Sequence, residues 1–310
     1  MPKQGTVLKS TGSWYEILSP EGEKLNARLR GKLKIKGLKS TNPITVGDEV
    51  IYDIDPLGEE ESVVIKDILA RKNYIVRKSI KKSAQAHLIA SNVDQAVLVV
   101  TVSQPTTSLG FVDRFLVACE SFRIPVTLVF NKADLFTEGA IEYCEAVMDM
   151  YEELGYPCIV TSVLEKIGLD DLKNVLDKKK TLIAGHSGTG KSSLINSIYS
   201  QKDLKIGEIS SAHNKGKHTT TFAEMFHLDD NTYVIDSPGI KELGLFDIEK
   251  ENISHYFPEM RNELNNCKFH NCTHMHEPGC KVKELVENGE ITHTRYASYQ
   301  SMFEGEDYKY

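Results

Sequence analysis

The pattern of apolar and polar residues begins with an all-β region. Up to about residue 70, short β-type runs such as Trp14–Ile17 and Val50–Tyr52 are separated by turn signals such as Ser19–Gly22. The segment Lys32–Lys36 alternates strictly between lysine and an apolar residue, so its lysines would share one face of a strand. These runs predict a small barrel of about five strands with one basic face, and such barrels often bind oligonucleotides.

After residue 94 the pattern changes to alternating strands and helices. The strand-type runs are Gln95–Val102, Val126–Phe130, Cys158–Thr161, Thr181–Ala184, Phe222–Leu228 and Tyr233–Asp236. The helical patterns include Phe111–Phe122, Ile141–Leu154 and Leu169–Leu176. This order predicts a doubly wound α/β sheet with parallel strands and helices on both faces. We interpret Arg71–Asn92 as a basic linker. The last segment, roughly 246–310, is predicted to be helical. We therefore expect three domains, at residues 1–70, 71–245 and 246–310.

Composition narrows the class of protein. The chain has 310 residues, 40% hydrophobic and 26% charged, which is typical of soluble multidomain proteins. It has no run of eighteen apolar residues and no apolar signal sequence, so we expect a cytoplasmic protein without a membrane partner.

The formal net charge of -7 does not by itself suggest nucleic-acid binding, but the charge is unevenly distributed. Only basic charged residues occur between Lys24 and Lys39. A basic face can bind phosphates even on an acidic chain. The predicted RNA-binding residues are Arg28, Arg30, Lys32, Lys34 and Lys36; the alternative is a solvated strand face.

Gly185–Ser192 matches the phosphate-binding pattern G-x-x-x-x-G-K-[ST], follows an apolar strand and opens a helix. Its backbone N–H groups would surround phosphate oxygens, Lys191 would reach the β- and γ-phosphates, and Ser192 would bind Mg²⁺. The alternative is an ordinary tight turn between a strand and a helix. The predicted nucleotide contacts here are Gly185, His186, Ser187, Gly188, Thr189, Gly190, Lys191, Ser192 and Ser193.

Asn131, Lys132 and Asp134 belong to an N-K-x-D motif that follows the strand Val126–Phe130. A carboxylate at Asp134 can accept hydrogen bonds from the N1–H and the exocyclic amine of guanine, a donor pair that adenine lacks. The Lys132 stem can cover the base. Ligands bind at the carboxyl ends of strands in such sheets, so this position predicts guanine recognition.

Thr161 and Ser162 follow the next strand of the predicted sheet. Their backbone N–H groups could support the edge of the guanine base. An ordinary strand end is the alternative reading, so the pair is a secondary candidate for nucleotide binding.

The segment Asp236–Gly239 also ends a strand. Asp236 would hold Mg²⁺ through water, and the Gly239 N–H would meet the γ-phosphate. In the polar stretch Gly216–Thr221, we expect Thr220 to complete the magnesium shell. A plain surface loop is the alternative for that stretch.

Cys267, Cys272 and Cys280 lie close together among several histidines. In a cytosolic chain this clustering indicates a metal site rather than disulfides. Three thiolates and one imidazole make a closed tetrahedral shell, which is typical of structural zinc. Spacing alone leaves His270, His274 and His276 as candidates for the fourth ligand.

The motifs occur in an unusual order, because the guanine-reading motif precedes the phosphate loop. This order, with an N-terminal barrel and a C-terminal Cys/His segment, resembles the circularly permuted ribosome small-subunit-dependent GTPase A family, also called RsgA or YjeQ. The resemblance covers essentially the whole chain. It implies an OB-fold, a permuted GTPase domain and a zinc domain that act in late maturation of the small ribosomal subunit. It also implies the zinc ligands Cys267, Cys272, His274 and Cys280.

The position after the DxxG motif is Ile240, where many GTPases have a water-orienting glutamine. Intrinsic hydrolysis should therefore be slow. His218 is the nearest substitute, the resemblance also points to it, and the alternative is a loop contact without catalytic function.

We therefore expect a monomeric GTPase that binds GTP and GDP with Mg²⁺ and is stimulated by the small ribosomal subunit and its rRNA. The alternative is a GTP-controlled rRNA-binding module in which hydrolysis is incidental. A P-loop kinase is disfavoured by the guanine-reading motif.

Overall fold

The chain is organised around one long β-sheet. The computed structural model describes residues 3–12, 14–29, 43–54, 62–78, 86–199, 223–236 and 248–305. Within these ranges, eleven strands form the continuous sheet and two more form a separate hairpin. Over the same ranges, none of the helices combines the length and the apolar character that a membrane span requires.

The N-terminal strands close into the predicted five-stranded barrel. They are β1 (Lys3–Ser10), β2 (Trp14–Leu18), β3 (Lys24–Leu29), β4 (Glu49–Ile54) and β5 (Ser62–Ile68). Their order is β1-β2-β3-β5-β4, and β4 pairs back onto β1, so the sheet closes. β3 and β5 are parallel and the other neighbours antiparallel, which fits a Greek-key barrel of the OB type. Alternate side chains point inward and form a core that includes Val7, Ile17, Tyr52 and Ile65.

The central sheet confirms the α/β prediction. Its strands are β8 (Gln95–Val100), β9 (Val126–Asn131), β10 (Cys158–Thr161), β11 (Lys180–Ala184), β12 (Glu224–Asp229) and β13 (Thr232–Asp236). The order is β10-β9-β8-β11-β13-β12, with parallel pairing except between β12 and β13. The sheet is therefore mixed rather than wholly parallel, because a two-residue turn joins β12 to β13 as a hairpin.

Helices cover both faces of this sheet, as predicted. They are α1 (Leu109–Ser121), α2 (Glu138–Glu153), α3 (Leu169–Leu176) and α4 (Lys191–Ile198). Residues of α1 and α2 belong to one apolar core, and residues of α3 and α4 belong to another. Because the strands between them are buried on both sides, β8 and β9 are apolar along nearly their whole length.

The interpretation of Arg71–Asn92 as a linker is wrong for the residues that the structure describes. Two antiparallel strands, β6 (Tyr74–Lys78) and β7 (Ala86–Ser91), form a hairpin in this stretch. Their apolar residues, including Ile75 and Ala90, are buried in the α1–α2 core. The basic composition of the segment concealed these alternating apolar positions.

The C-terminal segment is helical, as predicted, and packs on the central domain. A 3₁₀ segment (Lys250–Tyr256) precedes α5 (Pro258–Arg261), α6 (Lys281–Glu287) and α7 (His293–Glu304). Their apolar core includes Phe257, Val282, Tyr299 and also Val117 of α1. Helix α1 is therefore shared between the central sheet and the C-terminal segment.

The barrel joins the central sheet through its first strand. Residue Lys9 of β1 pairs with Glu224 of β12, and the two side chains form an ion pair of 3.1 Å. A second ion pair of 2.6 Å links Lys180 at the start of β11 to Glu49 of β4. The pairing of β1 with β12 makes the barrel and the central sheet one continuous sheet, and the two ion pairs reinforce this junction.

Candidate nucleotide-binding site and metal centre

The predicted nucleotide-binding residues that the structure describes lie at the carboxyl edge of the parallel strands. β9 ends at Asn131, β10 at Thr161 and β13 at Asp236, while Gly185 follows β11 directly. In open α/β sheets this edge is where ligands bind. The fold therefore collects motifs that are widely spaced in the sequence.

The phosphate loop needs glycine at both of its ends. Gly185 has φ 142°, and a Cβ atom there would lie 2.3 Å from the carbonyl oxygen of Val99. Gly190 has φ 92°, and its Cβ atom would lie 2.4 Å from the Asn131 side-chain nitrogen. Both positions have left-handed backbone geometry that favours glycine. Glycine thus allows the loop to approach the ends of two neighbouring strands.

Lys191 is folded back over the phosphate loop. Its Nζ donates hydrogen bonds of 2.8 Å to the carbonyl oxygens of Gly185 and His186. The buried Thr189 hydroxyl donates to the same His186 carbonyl at 3.0 Å. Ser192 and Ser193 follow in the first turn of α4. The ammonium group is therefore held at the mouth of the loop, where phosphate oxygens would lie.

Asn131 joins the guanine-reading loop to the phosphate loop. Its Nδ2 donates to the Thr189 carbonyl oxygen at 2.8 Å, and its Oδ1 accepts from the Thr161 hydroxyl at 3.0 Å. The side chain is buried. A buried amide with both ends satisfied fixes the ends of β9 and β10 relative to the phosphate loop.

The Asp134 carboxylate is oriented by its neighbours. It lies in a one-turn 3₁₀ helix, Ala133–Leu135, and accepts a hydrogen bond of 2.6 Å from the Ser162 hydroxyl. The Glu165 N–H in turn donates to Ser162 at 3.1 Å. Ser162 therefore supports the carboxylate with its side chain, whereas the sequence had suggested a role for its backbone.

Lys132 has the left-handed backbone conformation, with φ 67°. Its Nζ donates to the Gln104 carbonyl oxygen, which lies in the loop after β8. This contact draws the stem of Lys132 across the carboxyl edge of the sheet. No motif marks Gln104, and only its position after a strand end could have suggested a role.

Phe111 is a second residue that the sequence motifs did not indicate. Its ring packs on the His186 ring of the phosphate loop, with 3.9 Å between centroids and 31° between planes. Phe111 lies in the first turn of α1. The helix therefore supports the phosphate loop from the side.

Asp236 ends β13, close to Lys191. Burial raises the pKa of the Asp236 carboxyl group, and the positive charge of Lys191 partly offsets this effect. A half-buried carboxylate beside a phosphate loop fits a magnesium-side ligand. The other residues predicted for γ-phosphate and magnesium chemistry, His218, Thr220 and Gly239, lie outside the described residues, as does Ile240.

The basic face of the barrel is described only in part. Arg28 is exposed on β3 and pairs across the sheet with Trp14 on β2. The other predicted RNA-binding residues, Arg30, Lys32, Lys34 and Lys36, lie outside the described residues.

The cysteine cluster forms one compact group of donors. The candidate ligand atoms of Cys267, Cys272, His274 and Cys280 all lie within 4.8 Å of one another. His274 Nδ1 is 3.4 Å from the Cys280 sulfur and 3.6 Å from the Cys267 sulfur. His270 and His276 are exposed and do not belong to the group. The fold therefore selects His274 from the three histidines that spacing allowed.

The donor set fits zinc. Three sulfurs and one imidazole nitrogen are the ligands of a closed structural zinc site. Burial raises the pKa of the Cys272 thiol to about 12, and it also raises the pKa of Cys280. Sulfur atoms packed this closely need a bound cation to become thiolates at neutral pH.

Local hydrogen bonds shape the loop around His274. The Glu277 carboxylate accepts from the N–H and hydroxyl of Thr273 and from the N–H groups of Met275 and His276. Burial opposes ionisation, but these hydrogen bonds lower the pKa of Glu277 to about 2. The Tyr296 hydroxyl donates to the His274 carbonyl at 2.6 Å.

Comparison with known proteins identifies the family. A family described as "RsgA GTPase" matches residues 68–246, and one described as "RsgA N-terminal domain" matches residues 4–61. The chain belongs to the RsgA GTPase family. The first matched region contains the central sheet, and the second covers the first four strands of the barrel.

Relatives within the RsgA family match the chain from end to end. A "Small ribosomal subunit biogenesis GTPase RsgA" from Cytophaga hutchinsonii is 54% identical over 299 residues, which is 96% of this chain and 97% of that protein. "Small ribosomal subunit biogenesis GTPase RsgA 2" from Bacteroides thetaiotaomicron is 49% identical over 304 residues, 98% and 97% of the two chains.

Two solved structures share the RsgA fold. YjeQ from Thermotoga maritima is 37% identical, with a TM-score of 0.77 and coverage of 98% of both chains. YloQ, described as a circularly permuted GTPase, is 27% identical, with a TM-score of 0.73 and coverage of 100% of this chain and 98% of that one. These similarities confirm the permuted architecture that the order of motifs predicted.

Proposed function

We propose that this chain binds and hydrolyses GTP and that the small ribosomal subunit stimulates hydrolysis during the late steps of its maturation. One observation carries the proposal: in a chain of the RsgA family, Asn131 donates to the Thr189 carbonyl of the phosphate loop at 2.8 Å and accepts from the Thr161 hydroxyl of β10 at 3.0 Å. The relatives' names supply the link to small-subunit biogenesis.

Asp134 would select guanine. Its carboxylate, held by Ser162 at 2.6 Å, offers acceptors for the N1–H and exocyclic amine of the base. Adenine offers no such donor pair, so a bound adenine would leave the carboxylate acceptors unpaired. Lys132, drawn across the sheet edge toward Gln104, would cover the base.

Lys191 and the backbone of Gly185–Gly190 would bind the phosphates, with Gly239 at the γ-phosphate. Ser192, Thr220 and Asp236 would hold Mg²⁺, whose chemistry is to neutralise the charge that develops on the phosphate oxygens. Lys191, already turned over the loop, would move its ammonium group from the Gly185 and His186 carbonyls to phosphate oxygens.

His218 would position the attacking water. Ile240 has no group that could do so, which supports slow hydrolysis by the isolated protein. A neutral imidazole near the γ-phosphate can orient water or accept its proton. Substituting His218→Ala should spare GTP binding and remove most of the subunit-stimulated rate. Full stimulation of that variant would leave His218 as a loop residue only.

The C-terminal domain and the N-terminal barrel would hold the protein on the small ribosomal subunit. Zinc at Cys267, Cys272, His274 and Cys280 would stabilise the C-terminal domain, and the basic barrel face would contact rRNA. We propose domains at 1–70, 71–245 and 246–310, acting as a monomer where subunits are assembled, in the cytoplasm.

The decisive experiment measures GTP turnover while purified small ribosomal subunits are titrated in. The proposal expects slow turnover alone and a large, saturable increase with subunits. A GTP-controlled rRNA-binding module, the second candidate, would instead show GTP-dependent subunit binding with no change in turnover. Preference for ATP over GTP would contradict both.

A further inference from the structure

We infer that Arg295 is a positioning residue for the nucleotide site, acting through helix α1 and Phe111 on the phosphate loop. The inference rests on the proposed GTP binding and adds a residue from the C-terminal domain to it. Arg295 itself is remote from the predicted nucleotide contacts in sequence, and no motif includes it.

Arg295 is held in a buried network at the interface between α7 and α1. Its Nη1 donates to the Asp113 carboxylate at 2.6 Å, and its Nε and Nη2 donate to Glu259 at 2.7 Å and 3.1 Å. Its side chain is only 1% exposed. The Tyr151 hydroxyl donates to the same Asp113 oxygen at 2.7 Å. The planar guanidinium therefore ties one point of α1 to two elements of the C-terminal domain.

The anchored point on α1 lies beside the nucleotide site. Asp113 follows Phe111 by two residues, in the part of the helix nearest its N-terminus. Phe111 packs on the His186 ring with centroids 3.9 Å apart. The His186 carbonyl accepts hydrogen bonds from both Lys191 and Thr189. A continuous set of contacts thus runs from Arg295 to the lysine that would bind phosphate.

The direction of the effect follows from these contacts. Without Arg295, the start of α1 loses its anchor, and the Phe111 ring no longer supports His186 in one position. The phosphate loop should then bind nucleotide less tightly. Guanine selection should persist, because Ser162 and Asn131 orient that loop from the other side.

The chain provides a matched control at the opposite end of the same helix. Arg261 of α5 forms an ion pair of 3.0 Å with Glu120, near the end of α1. This pair also joins the C-terminal domain to α1, but it is half exposed and far along the helix from Phe111. Removing it tests whether any loss of contact between the two domains would have the same effect.

The experiment measures the dissociation constant of a fluorescent GDP analogue, with thermal unfolding in parallel, for four variants. They are Arg295→Met, Phe111→Leu, the double variant and Arg261→Met. We expect Phe111→Leu and Arg295→Met each to weaken binding about fivefold, as loss of an aromatic contact implies. The double variant should bind the GDP analogue no more weakly than the weaker-binding single variant, because both substitutions disturb the same contact between Phe111 and His186. Arg261→Met should bind like the wild type.

Arg295→Met leaves the buried Asp113 carboxylate without its positively charged partner, with only the Tyr151 hydroxyl still donating to that oxygen, and can prevent folding. In that case Asp113→Asn, which keeps the side-chain shape and one acceptor, replaces Arg295→Met. It is combined with Phe111→Leu in the same double-mutant cycle. Additive losses in the cycle, wild-type affinity of the Arg295 or Asp113 variant, or an equal loss in Arg261→Met would overturn the inference. A wild-type protein that binds no guanine nucleotide would instead refute the proposed function.

Discussion

The nucleotide site and the metal centre are assembled in opposite ways. The nucleotide site brings together strand ends from Asn131 to Asp236, and the Asn131–Thr189 hydrogen bond links loops 58 residues apart. The metal centre lies within Cys267–Cys280 and is shaped by short-range hydrogen bonds to Glu277. The first is therefore a product of the whole fold, whereas the four candidate ligands of the second come from a single short segment.

The largest effect should come from removing the metal. Changing Cys272→Ser should release zinc and unfold the C-terminal segment, since structural zinc contributes about 10–16 kcal/mol in zinc-finger peptides. Metal analysis and limited proteolysis would measure both changes. His270→Ala, which removes an exposed histidine outside the cluster, is the control and should retain zinc. One tightly held zinc in purified Cys272→Ser would contradict the assignment.

The next largest effect should follow Asp134→Asn at the nucleotide site. The amide turns one acceptor into a donor, which should weaken GTP binding by about 10²-fold. Titration with fluorescent GTP and ATP analogues would measure affinity and selectivity. Asp170→Asn, an exposed acid on α3, provides the matched control and should have no effect. Unchanged affinity and unchanged selectivity in Asp134→Asn would refute guanine reading by this carboxylate.

A smaller effect should follow loss of the link between the two nucleotide loops. Asn131→Ala removes two buried hydrogen bonds and should destabilise the fold by about 1–3 kcal/mol. It should also weaken GTP binding by roughly tenfold, because the loops lose their common support. Thermal unfolding and nucleotide titration would separate the two effects. Thr161→Val removes only one of the two hydrogen bonds, so its stability and GTP affinity should lie between those of the wild type and Asn131→Ala. Equal GTP affinity in all three proteins would show that the link stabilises the fold without contributing to GTP binding.

The smallest effect should come from substitutions on the basic face of the barrel, which belongs neither to the nucleotide site nor to the metal centre. Replacing Lys32, Lys34 and Lys36 by alanine should weaken subunit binding and flatten its dependence on salt, because fewer counterions are released. Alanine at the exposed lysines 166, 173 and 178 changes the net charge equally and is the control. If both triple variants bind alike at every salt concentration, the barrel face has no specific role.

Sequence reasoning predicted the parts of both sites that depend on local chemistry. Gly185–Ser192 could be recognised because glycine geometry and a helix start determine a phosphate loop from within one segment. The cysteine cluster was equally local, although spacing could not choose among its histidines. That choice required the fold, which buries His274 and leaves His270 and His276 exposed.

Contacts between distant segments could not be predicted in this way. Arg295 and Asp113 are 182 residues apart, and each alone resembles an ordinary surface charge in the sequence. Phe111 fits an apolar helix face, so nothing distinguishes its contact with His186 from core packing. The hairpin that contains Ile75 was missed because neighbouring lysines dominate the composition of its segment.

The junction between β1 and β12 has a consequence for how the chain is made. Lys9 and Glu224 are 215 residues apart, so the barrel strands are synthesised long before their partner in the central sheet. At about 5–20 residues per second, β12 follows the last barrel strand by roughly 8–30 seconds.

During that interval Lys9 lacks the strand that later pairs with it, because among the residues that the structure describes β4 pairs with Lys3–Thr6 of β1 and β12 pairs with Lys9. A lysine on a sheet edge discourages pairing with other chains. Lys9 would therefore protect the nascent barrel from aggregation until Glu224 arrives to neutralise it.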